Sequence, residues 1–253
     1  MLSKNRQKLI RSLERKKGRK ESGLFVAEGP KLVGELLAAG WKATYIAATE
    51  QWWTEHRTDR DAAEECDTIS EDELMRVSLQ KTPQQVLALF QIQQHEEKLV
   101  DMASQELCLA LDGVQDPGNL GTIVRLADWF GIRHIYCSPE TADIYAPKAI
   151  QATMGAISRV RVHYIDLTGE LRACQAPIYG THLDGENIYS KQLTQQGVIV
   201  MGNEGKGISP EVEELVSEKL YIPPYPADRT TVESLNVAIA TAIVCAEFRR
   251  TKG

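Results

Sequence analysis

The chain has 253 residues, of which 43% are hydrophobic and 25% are charged, and its formal net charge is −6. This composition is typical of a globular protein with a sizeable core, folded as one large domain or two modest ones. No stretch approaches the roughly 18 apolar residues of a membrane span, and no apolar segment follows the basic N-terminus. We therefore expect neither a membrane segment nor a secretory signal.

Cysteine and histidine usage gives no sign of a disulfide framework or a metal centre. The five cysteines are odd in number and none forms a C-x-x-C pair, which is typical of reduced, buried thiols in a cytoplasmic protein. The five histidines have no ligand spacing relative to those cysteines. We therefore expect a cytoplasmic protein that binds no metal.

The first twenty residues are strongly basic. Met1–Lys20 contains nine Lys or Arg against the single acidic residue Glu14, so this arm carries +8 (9 − 1) and the rest of the chain carries −14 (−6 − 8). A concentrated basic arm on an acidic body favours local contact with a polyanion. The alternative is a solvated amphipathic helix whose apolar face contains Leu2, Leu9, Ile10 and Leu13.

Short strands and helices alternate from residue 25 to residue 92. The pattern predicts strands at Phe25–Ala27, Thr44–Ala48 and Val86–Ile92. Helices are expected from Pro30, around the tryptophans at 52 and 53, and after a capping box over Ser70–Glu73. This alternation predicts a small α/β domain over residues 1–95, followed by a polar linker over residues 96–105.

The alternation is stronger in residues 106–253. Strands are predicted at Leu107–Leu111, Arg133–Cys137, Val160–Tyr164, Ile178–Thr181, Val198–Met201 and Lys219–Ile222. Helices are predicted at Thr122–Phe130 and Asp143–Thr153, and a largely apolar helix follows Ser234–Asn236. Helices between consecutive strands indicate a parallel sheet with helices on both faces. Ligands of such sheets bind at the carboxyl ends of the strands.

Three strand ends carry reactive or ligand-binding residue types. The loop Asp112–Gly121 is rich in glycine and leads to Asn119 and Arg125, a second loop is Gly202–Gly207, and a third is Pro223–Asn236. Glycines let the backbone approach a ligand closely. The glycine spacing matches neither G-x-x-x-x-G-K-[ST] nor G-x-G-x-x-G, so an ATP site or a dinucleotide site of the usual kind is disfavoured.

Three stretches of the chain match a known set of motifs. LDGVQDPGNLGTIVRLADWFG, VMGNEGKGIS and IPPYPADRTTVESLNVAIATAI occur in this order and resemble the three motifs of the SpoU (TrmH) family of RNA ribose 2′-O-methyltransferases. PKAIQATMGAISRV resembles the segment that follows the first motif, and FVAEGPKLVGELL resembles the small substrate-binding domain of many members. The motif-bearing region spans about Leu107 to Arg250, more than half of the chain.

The resemblance implies an S-adenosylmethionine-dependent enzyme that methylates a ribose 2′-hydroxyl of ribosomal or transfer RNA. It also implies a deep trefoil knot in the C-terminal domain and a homodimer across which the active site is completed. No membrane and no metal are expected to take part. The small first domain and Met1–Lys20 are expected to hold the RNA phosphates.

Carried over by position, the resemblance implies a catalytic set of Arg125, Asn119, Glu204, Ser234 and Asn236. It also implies a cofactor-binding set of Thr181, Leu183, Gly202, Asn203, Gly207, Ile222, Pro224 and Leu235. Arg125 is expected to act on the 2′-hydroxyl, with Asn119 and Glu204 holding this arginine and the ribose. A guanidinium is a poor base because its pKa is very high, so proton removal and stabilisation of the forming alkoxide both stay open as its role.

One departure from the family pattern lies in the third motif. The loop Pro224–Glu233 lacks the usual glycine and is longer than is common. Asp228 and Arg229 in this loop are either RNA contacts or a solvated loop tip. Two other functions stay open from the residues: a non-catalytic RNA-binding protein of the same fold, and a knotted methyltransferase that modifies an RNA base. Retention of the motif residues argues against the first, and the Asn119/Arg125 pair argues against the second.

Overall fold

The structure, a computed structural model, describes residues 2–226 and 234–250. The chain forms two compact units, Met1–Gln93 with Asp143–Ser158, and Gln94–Ala142 with Arg159–Gly253. The first unit is thus discontinuous in sequence, whereas the sequence predicts a single boundary over residues 96–105. Within the described ranges, no helix combines the length and the apolar character that a membrane crossing requires.

The described residues form ten strands and eleven α-helices. The strands are β1 (Leu24–Glu28), β2 (Ala43–Ala48), β3 (Ala63–Thr68), β4 (Val86–Gln91), β5 (Leu107–Asp112), β6 (His134–Cys137), β7 (Arg161–Tyr164), β8 (Ile178–Asn187), β9 (Gly197–Gly202) and β10 (Glu218–Tyr221). The helices are α1 (Lys4–Ser12), α2 (Lys16–Ser22), α3 (Pro30–Ala38), α4 (Glu50–Glu55), α5 (Glu71–Val77), α6 (Leu99–Ala103), α7 (Pro117–Trp129), α8 (Pro147–Thr153), α9 (Leu167–Ala173), α10 (Pro210–Glu213) and α11 (Val237–Arg249).

The first unit is built on a four-stranded sheet in the order β1-β4-β2-β3. Strand β4 is antiparallel to both of its neighbours, and only β2 and β3 run parallel. The sequence pattern does not predict β3, because the strand Ala63–Thr68 is largely polar and lies at the sheet edge with most side chains exposed. The capping box at Ser70 and Glu73 is present at the start of α5, as predicted.

The basic arm is folded as two short helices, α1 and α2, and one face of it is structural. Leu2, Ile10 and Leu13 are buried in the apolar core of the first unit. Arg19 is also buried, and its Nη2 lies 2.7 Å from the carboxylate of Asp143. The arm therefore combines the apolar face of the amphipathic alternative with charged residues on the remaining surface.

The segment 143–158, which resembles the stretch after the first motif, belongs to the first unit. Its helix begins at Pro147 rather than at the predicted Asp143 and contacts β1. Gly155 has a φ of +94°, and a Cβ at this position would lie 2.6 Å from the Cβ of Glu35. Both the backbone conformation and the close approach therefore require glycine there.

The second unit contains a six-stranded sheet in the order β10-β8-β9-β5-β6-β7, and all of its strand pairs are parallel. One face packs against α6, α9 and α10, which contribute Leu99, Leu167 and Val212 to a shared apolar core. On the other face, α7 and α11 pack together and contact β6 and β9. Residues from both faces of β5 are buried, as expected for a parallel sheet that is covered on both sides.

Two predicted element boundaries in the second unit differ from the structure. The expected linker over residues 96–105 contains helix α6, and Leu99 and Ala103 are completely buried in the core. Its polar flanks hide this short apolar turn. Helix α7 begins at Pro117 rather than at Thr122, because Asp116 caps it by accepting a 2.8 Å hydrogen bond from the N–H of Asn119.

The strand order identifies one crevice as the place for a ligand. The chain leaves β5 towards β6 on one side, whereas it leaves β9 towards β10 on the other side, and β5 and β9 are neighbours. Adjacent parallel strands whose connections diverge form a topological switch point, where ligands of α/β sheets bind. The loops after Asp112 and Gly202 flank this crevice.

Candidate active site

The loop after β9 is closed by its own first residue. Asn203 and Gly207 exchange two backbone hydrogen bonds of 2.8 and 2.9 Å, and the Asn203 Oδ1 accepts from the N–H groups of Gly205 and Lys206. A Cβ on Gly202 would collide with the backbone of Gly207. The sequence Gly-Asn-x-x-x-Gly is therefore required by the geometry of this turn.

The same asparagine joins the two loops of the crevice. Asn203 Nδ2 donates a 2.7 Å hydrogen bond to the carbonyl oxygen of Gly113, in the loop after β5. Because its amide oxygen and nitrogen both bond within the protein, the Asn203 side chain positions the loops. Its backbone N–H and C=O are likewise bonded to Gly207, so the predicted cofactor contact of Asn203 stays a prediction.

Glu204 lies against the N-terminal end of α7. Its carboxylate accepts hydrogen bonds from the N–H groups of Gln115 and Asp116, at 3.3 and 3.4 Å, and from Asn119 Nδ2 at 3.1 Å. Partial burial opposes ionisation, but these donors outweigh it and hold the pKa of Glu204 below its usual value. The site therefore presents an ionised carboxylate at neutral pH.

The third motif completes this network through Asn236, which caps α11. Its Oδ1 accepts from the N–H groups of Ala238 and Ile239, at 3.0 and 3.2 Å. Its Nδ2 donates to Asn119 Oδ1 at 3.1 Å. Three predicted site residues, one from each motif, therefore form a continuous hydrogen-bonded chain from Asn236 through Asn119 to Glu204.

Arg125 stands apart from this chain. It lies on α7, six residues after Asn119, and is exposed. No hydrogen bond or ion pair holds its guanidinium within the described ranges 2–226 and 234–250. The expectation that Asn119 and Glu204 hold Arg125 differs from the structure, in which these two residues bond to each other and leave the guanidinium free to meet a ligand.

The predicted cofactor-binding residues of β8 lie inside that strand, whereas those of β9 and β10 lie at or just after the carboxyl ends of the strands. Strand β8 is longer than predicted, and its pairing with β10 shifts from Gly180 directly to Glu186. Residues 181–185, which include Thr181 and Leu183, therefore bulge out of this ladder. Gly202 ends β9, Gly207 closes the loop that follows, and Ile222 and Pro224 come directly after β10.

Ser234 and Leu235 precede the cap of α11 and are exposed. Among the residues that the structure describes, no hydrogen bond joins Ser234 to Asn236, Asn119 or Glu204. Asp228 and Arg229, the candidate RNA contacts of the loop Pro224–Glu233, lie outside the described residues.

One structural contact beneath the site is not predicted from the sequence. Asp112 Oδ2 accepts a 2.7 Å hydrogen bond from the N–H of Ser209, at the end of the Gly202–Gly207 loop. The position of an aspartate as the last residue of a buried strand is the signal that points to this role. Two hydrogen bonds thus join the two sides of the crevice, one between Asp112 and Ser209 and one between Gly113 and Asn203.

Two family models match the chain. The SpoU rRNA Methylase family matches residues 106–246, and the MRM3-like substrate binding domain matches residues 4–88. The first match covers every residue of the hydrogen-bonded chain and Arg125. The second covers most of the continuous part of the first unit.

Relatives are similar over nearly the full length. The 23S rRNA (guanosine(2553)-2′-O)-methyltransferase RlmP of Bacillus subtilis (strain 168) is 33% identical over 243 residues, which are 94% of each chain. The solved structure of a TrmH family protein from Porphyromonas gingivalis is 42% identical with a TM-score of 0.87, covering 98% of both chains. The AdoMet-bound rRNA methyltransferase from Sinorhizobium meliloti is 31% identical with a TM-score of 0.84, covering 98% of this chain and 95% of that one.

Proposed function

Because this chain belongs to the SpoU rRNA methylase family, we propose that it transfers the methyl group of S-adenosylmethionine to a ribose 2′-hydroxyl of ribosomal RNA. Relatives named as 23S rRNA 2′-O-methyltransferases include the Bacillus subtilis protein and RlmB of Neisseria meningitidis, which is 31% identical over 164 residues. The choice of ribosomal over transfer RNA follows these relatives.

One observation carries the proposal. Hydrogen bonds from Asn236 to Asn119 and from Asn119 to Glu204 join all three motifs at the topological switch point. Arg125 lies on α7, as Asn119 does, and is exposed with no partner in the described part of the protein. An arrangement that fixes three polar side chains and leaves one guanidinium free suits the binding of an anionic, hydroxyl-bearing substrate such as RNA.

The groups at the strand ends fit S-adenosylmethionine. Leu183 and Leu235 expose 74% and 48% of their surface, and residues 181–185 leave the ladder with β10. Apolar side chains next to backbone that lies outside the regular ladder suit an adenine ring, which has flat apolar faces and a polar edge. We assign Thr181, Leu183, Gly202, Gly207, Ile222, Pro224 and Leu235 to this role, with Asn203 positioning the loops.

The proposed methyl transfer requires no covalent bond between the substrate and the protein. Bound S-adenosylmethionine supplies a methyl group that is already activated by a sulfonium, so the proposed catalysis needs no metal. Arg125 contacts the RNA and orients the 2′-oxygen. Its positive charge stabilises the alkoxide that forms as the hydroxyl passes its proton to solvent water. Asn119, Glu204 and Asn236 hold the N-terminal ends of α7 and α11 together, and we assign Ser234, two residues before the cap of α11, to the same site.

We further propose the deep trefoil knot of the family in the second unit. Supporting it, β9 inserts between β5 and β8 after β8 is complete, and the C-terminal α11 returns to bond with Asn119 on α7. A chain that passes between earlier strands and returns to the first crevice is what a knotted connection requires.

We also propose that two copies of the chain form a homodimer through α7 and α11. Trp129 on α7 and Ile239 on α11 expose 84% and 55% of their surface, and the two helices pack together. Large exposed apolar side chains on adjacent helices favour an interface. We expect Ile239→Asp to convert a dimer into a monomer in light scattering, whereas Met75→Asp, at an exposed apolar position of the first unit, leaves the mass unchanged.

The first unit is our candidate for holding the RNA. The match of residues 4–88 to a substrate binding domain supports this assignment, as do the exposed lysines of the basic arm. The reduced state of all five cysteines supports a cytoplasmic location.

The proposal is tested by methyl transfer from labelled S-adenosylmethionine to ribosomal RNA and, separately, to transfer RNA. Nuclease digestion should then release a 2′-O-methylated nucleoside from the ribosomal RNA. A methylated base instead of a methylated ribose would reject the ribose assignment. RNA binding without any transfer would favour a non-catalytic RNA-binding protein of this fold.

A further inference from the structure

Four side chains with metal-binding chemistry meet in the second unit, at the edge of the sheet formed by β7. His134 is the first residue of β6, and Tyr136, two residues later, lies opposite His163 on β7. Because alternate residues of a strand share a face, His134 and His163 project from the same side of the sheet. His95 and Glu97 reach them from the segment before α6. We name these four residues the histidine cluster.

The spacing inside the histidine cluster is that of metal ligands. Nδ1 of His134 lies 3.1 Å from Nε2 of His163, and one ligand atom each of Glu97, His134 and His163 lies within 4.8 Å of the other two. Two nitrogens bound to one tetrahedral zinc at about 2.05 Å are about 3.3 Å apart. Small movements are therefore enough to place an ion between the three residues.

Acceptors stand beside both rings. Nε2 of His134 lies 3.4 Å from Oε1 of Glu106, an oxygen that is buried and has no hydrogen-bond partner within the described residues. His163 makes a backbone hydrogen bond with His95. Metal-bound histidines almost always donate their outer N–H to a carboxylate or a carbonyl, and each ring has such an acceptor on its outer side.

The two facing ring nitrogens can be satisfied in two ways. Nδ1 of His134 and Nε2 of His163 lie 3.1 Å apart, so the rings either share one hydrogen bond or direct both lone pairs at one cation. The carboxylate of Glu97 lies within reach of the same point, which favours the cation.

We propose that Glu97, His134 and His163 bind one Zn²⁺ ion, with the fourth position taken by water or by His95. Two imidazoles and one carboxylate form a ligand set typical of zinc, whereas Mg²⁺ prefers oxygen ligands alone. Glu106 is a positioning residue for His134. The alternative is a pair of histidines joined by a hydrogen bond alone.

The surroundings give the ion a way in and a structural effect. A cavity of about 490 Å³, lined by Gln94, His95, Glu96, Glu97 and Arg161, opens at the cluster. Arg161 pairs with Glu97 and exposes 51% of its side chain, so it can turn towards solvent when the carboxylate binds a metal. Binding would fasten residues 94–98, which have no regular secondary structure, to β6 and β7.

No metal is predicted from the sequence because these residues do not form a short motif with the spacing of metal ligands. Residues 95, 97, 134 and 163 are brought together only by the pairing of β6 with β7 and by the path of the chain before α6. The cluster also lies at the amino-terminal end of β6, whereas the candidate active site lies at the carboxyl ends of β5 and β9. The zinc site is thus separate from the proposed methyl transfer.

The test uses the full chain after treatment with a chelator. Zn²⁺ titration by calorimetry should give one equivalent per chain, and Zn²⁺ but not Mg²⁺ should raise the melting temperature. Glu97→Gln, at a partly exposed position where folding is retained, should weaken Zn²⁺ binding at least about 10-fold. Glu96→Gln is the matched control, since this exposed neighbour offers no ligand to the cluster, and it should bind Zn²⁺ as the wild type does.

His163→Gln and Glu106→Gln extend the test. The first should abolish stoichiometric binding, and the second should weaken it about 10- to 100-fold, as expected for the loss of a residue that orients a ligand. Absence of Zn²⁺ binding by the wild type would overturn the proposal and leave a hydrogen-bonded histidine pair. Equal binding by Glu97→Gln and Glu96→Gln would also overturn it, because the ion would then lie elsewhere.

Discussion

The two units use charged side chains in opposite ways. In the first unit, the buried charge of Arg19 is neutralised by an ion pair with Asp143 at 2.7 Å. The lysines of the basic arm are exposed. In the second unit, polar side chains are tied to one another around the crevice, and Arg125 is the free charge on α7. Under the proposed function, the first unit holds RNA by the summed charge of its arm, whereas the second unit positions one charge for the methyl transfer.

Substitutions in the two units should therefore have different effects. Changes to the exposed charges of the first unit should alter RNA affinity and its salt dependence but leave the chemical step intact. Changes at the crevice should lower turnover more than they lower RNA affinity, because under the proposed function Arg125 is one RNA contact beside those of the first unit. A substitution that crosses this division would show that the two units do not divide the work.

The largest expected effect is on folding, at Arg19 in the first unit. Arg19→Ala removes the partner of the largely buried Asp143 carboxylate and the donor to the carbonyls of Leu13 and Glu14. Loss of one partner of a buried pair costs about 3 to 5 kcal/mol. Urea unfolding should show this loss, whereas Arg15→Ala, at an exposed position of the same arm, should change stability by less than about 0.5 kcal/mol. Equal stability of the two variants would contradict a structural role for Arg19.

Arg125→Ala should have the next largest effect, and on catalysis. Loss of one group that stabilises developing charge lowers turnover about 100-fold, or about 2.7 kcal/mol. Single-turnover methyl transfer with saturating RNA is the measurement. The matched control is Arg172→Ala, at an exposed arginine of α9 in the same unit, which should keep wild-type turnover. Normal turnover of Arg125→Ala would refute the assignment of this residue to the reaction.

A smaller effect is expected from the exposed lysines of the arm. Deleting Met1–Lys20 would also remove Leu2, Ile10, Leu13 and Arg19 from the interior of the first unit, so substitutions are the cleaner test. The triple change of Lys4, Lys8 and Lys16 to Gln should weaken RNA binding and reduce the slope of log K against log salt by about 0.7 to 0.9 for each RNA phosphate that is no longer neutralised. Cofactor binding should stay unchanged.

The control for the arm is an equal change of charge elsewhere in the first unit. Lys31, Lys42 and Lys81 are exposed and lie outside the arm, and their joint replacement by Gln alters the net charge by the same amount. If both triple variants lose the same salt dependence, the arm has no special contact with RNA and acts only through the total charge of the unit.

Part of the site and most of the second sheet are predictable from the sequence. Motif order and spacing bring Asn119, Glu204 and Asn236 into consideration, and the structure joins them in one hydrogen-bonded chain. The parallel sheet of the second unit is predicted because its buried strands are short apolar runs separated by helical segments. Strand β3 is not, since an exposed edge strand with the sequence AEECDT lacks the apolar alternation of the other strands.

Other features of the two units depend on tertiary contacts that local patterns do not encode. Arg19 reads as one basic residue among nine, and only the fold buries it against Asp143, 124 positions away. The three proposed zinc ligands are likewise distant in sequence and meet through strand register. In both units, contacts between charged or metal-binding side chains that are distant in sequence are thus the feature that the sequence alone does not predict.

The smallest effect separates the two tasks of Asn236. Asn236→Ala removes both the cap of α11 and the donor to Asn119, whereas Asn236→Asp keeps the cap acceptor and loses only that donor. The alanine variant should lose about 1 kcal/mol of stability, and the aspartate variant should stay close to wild type in thermal unfolding. Both should show reduced turnover if the chain through Asn119 sets the position of α7 and therefore of Arg125. Full activity of Asn236→Asp would mean that the cap alone matters, and the free guanidinium would then be positioned by the helix without help from the third motif.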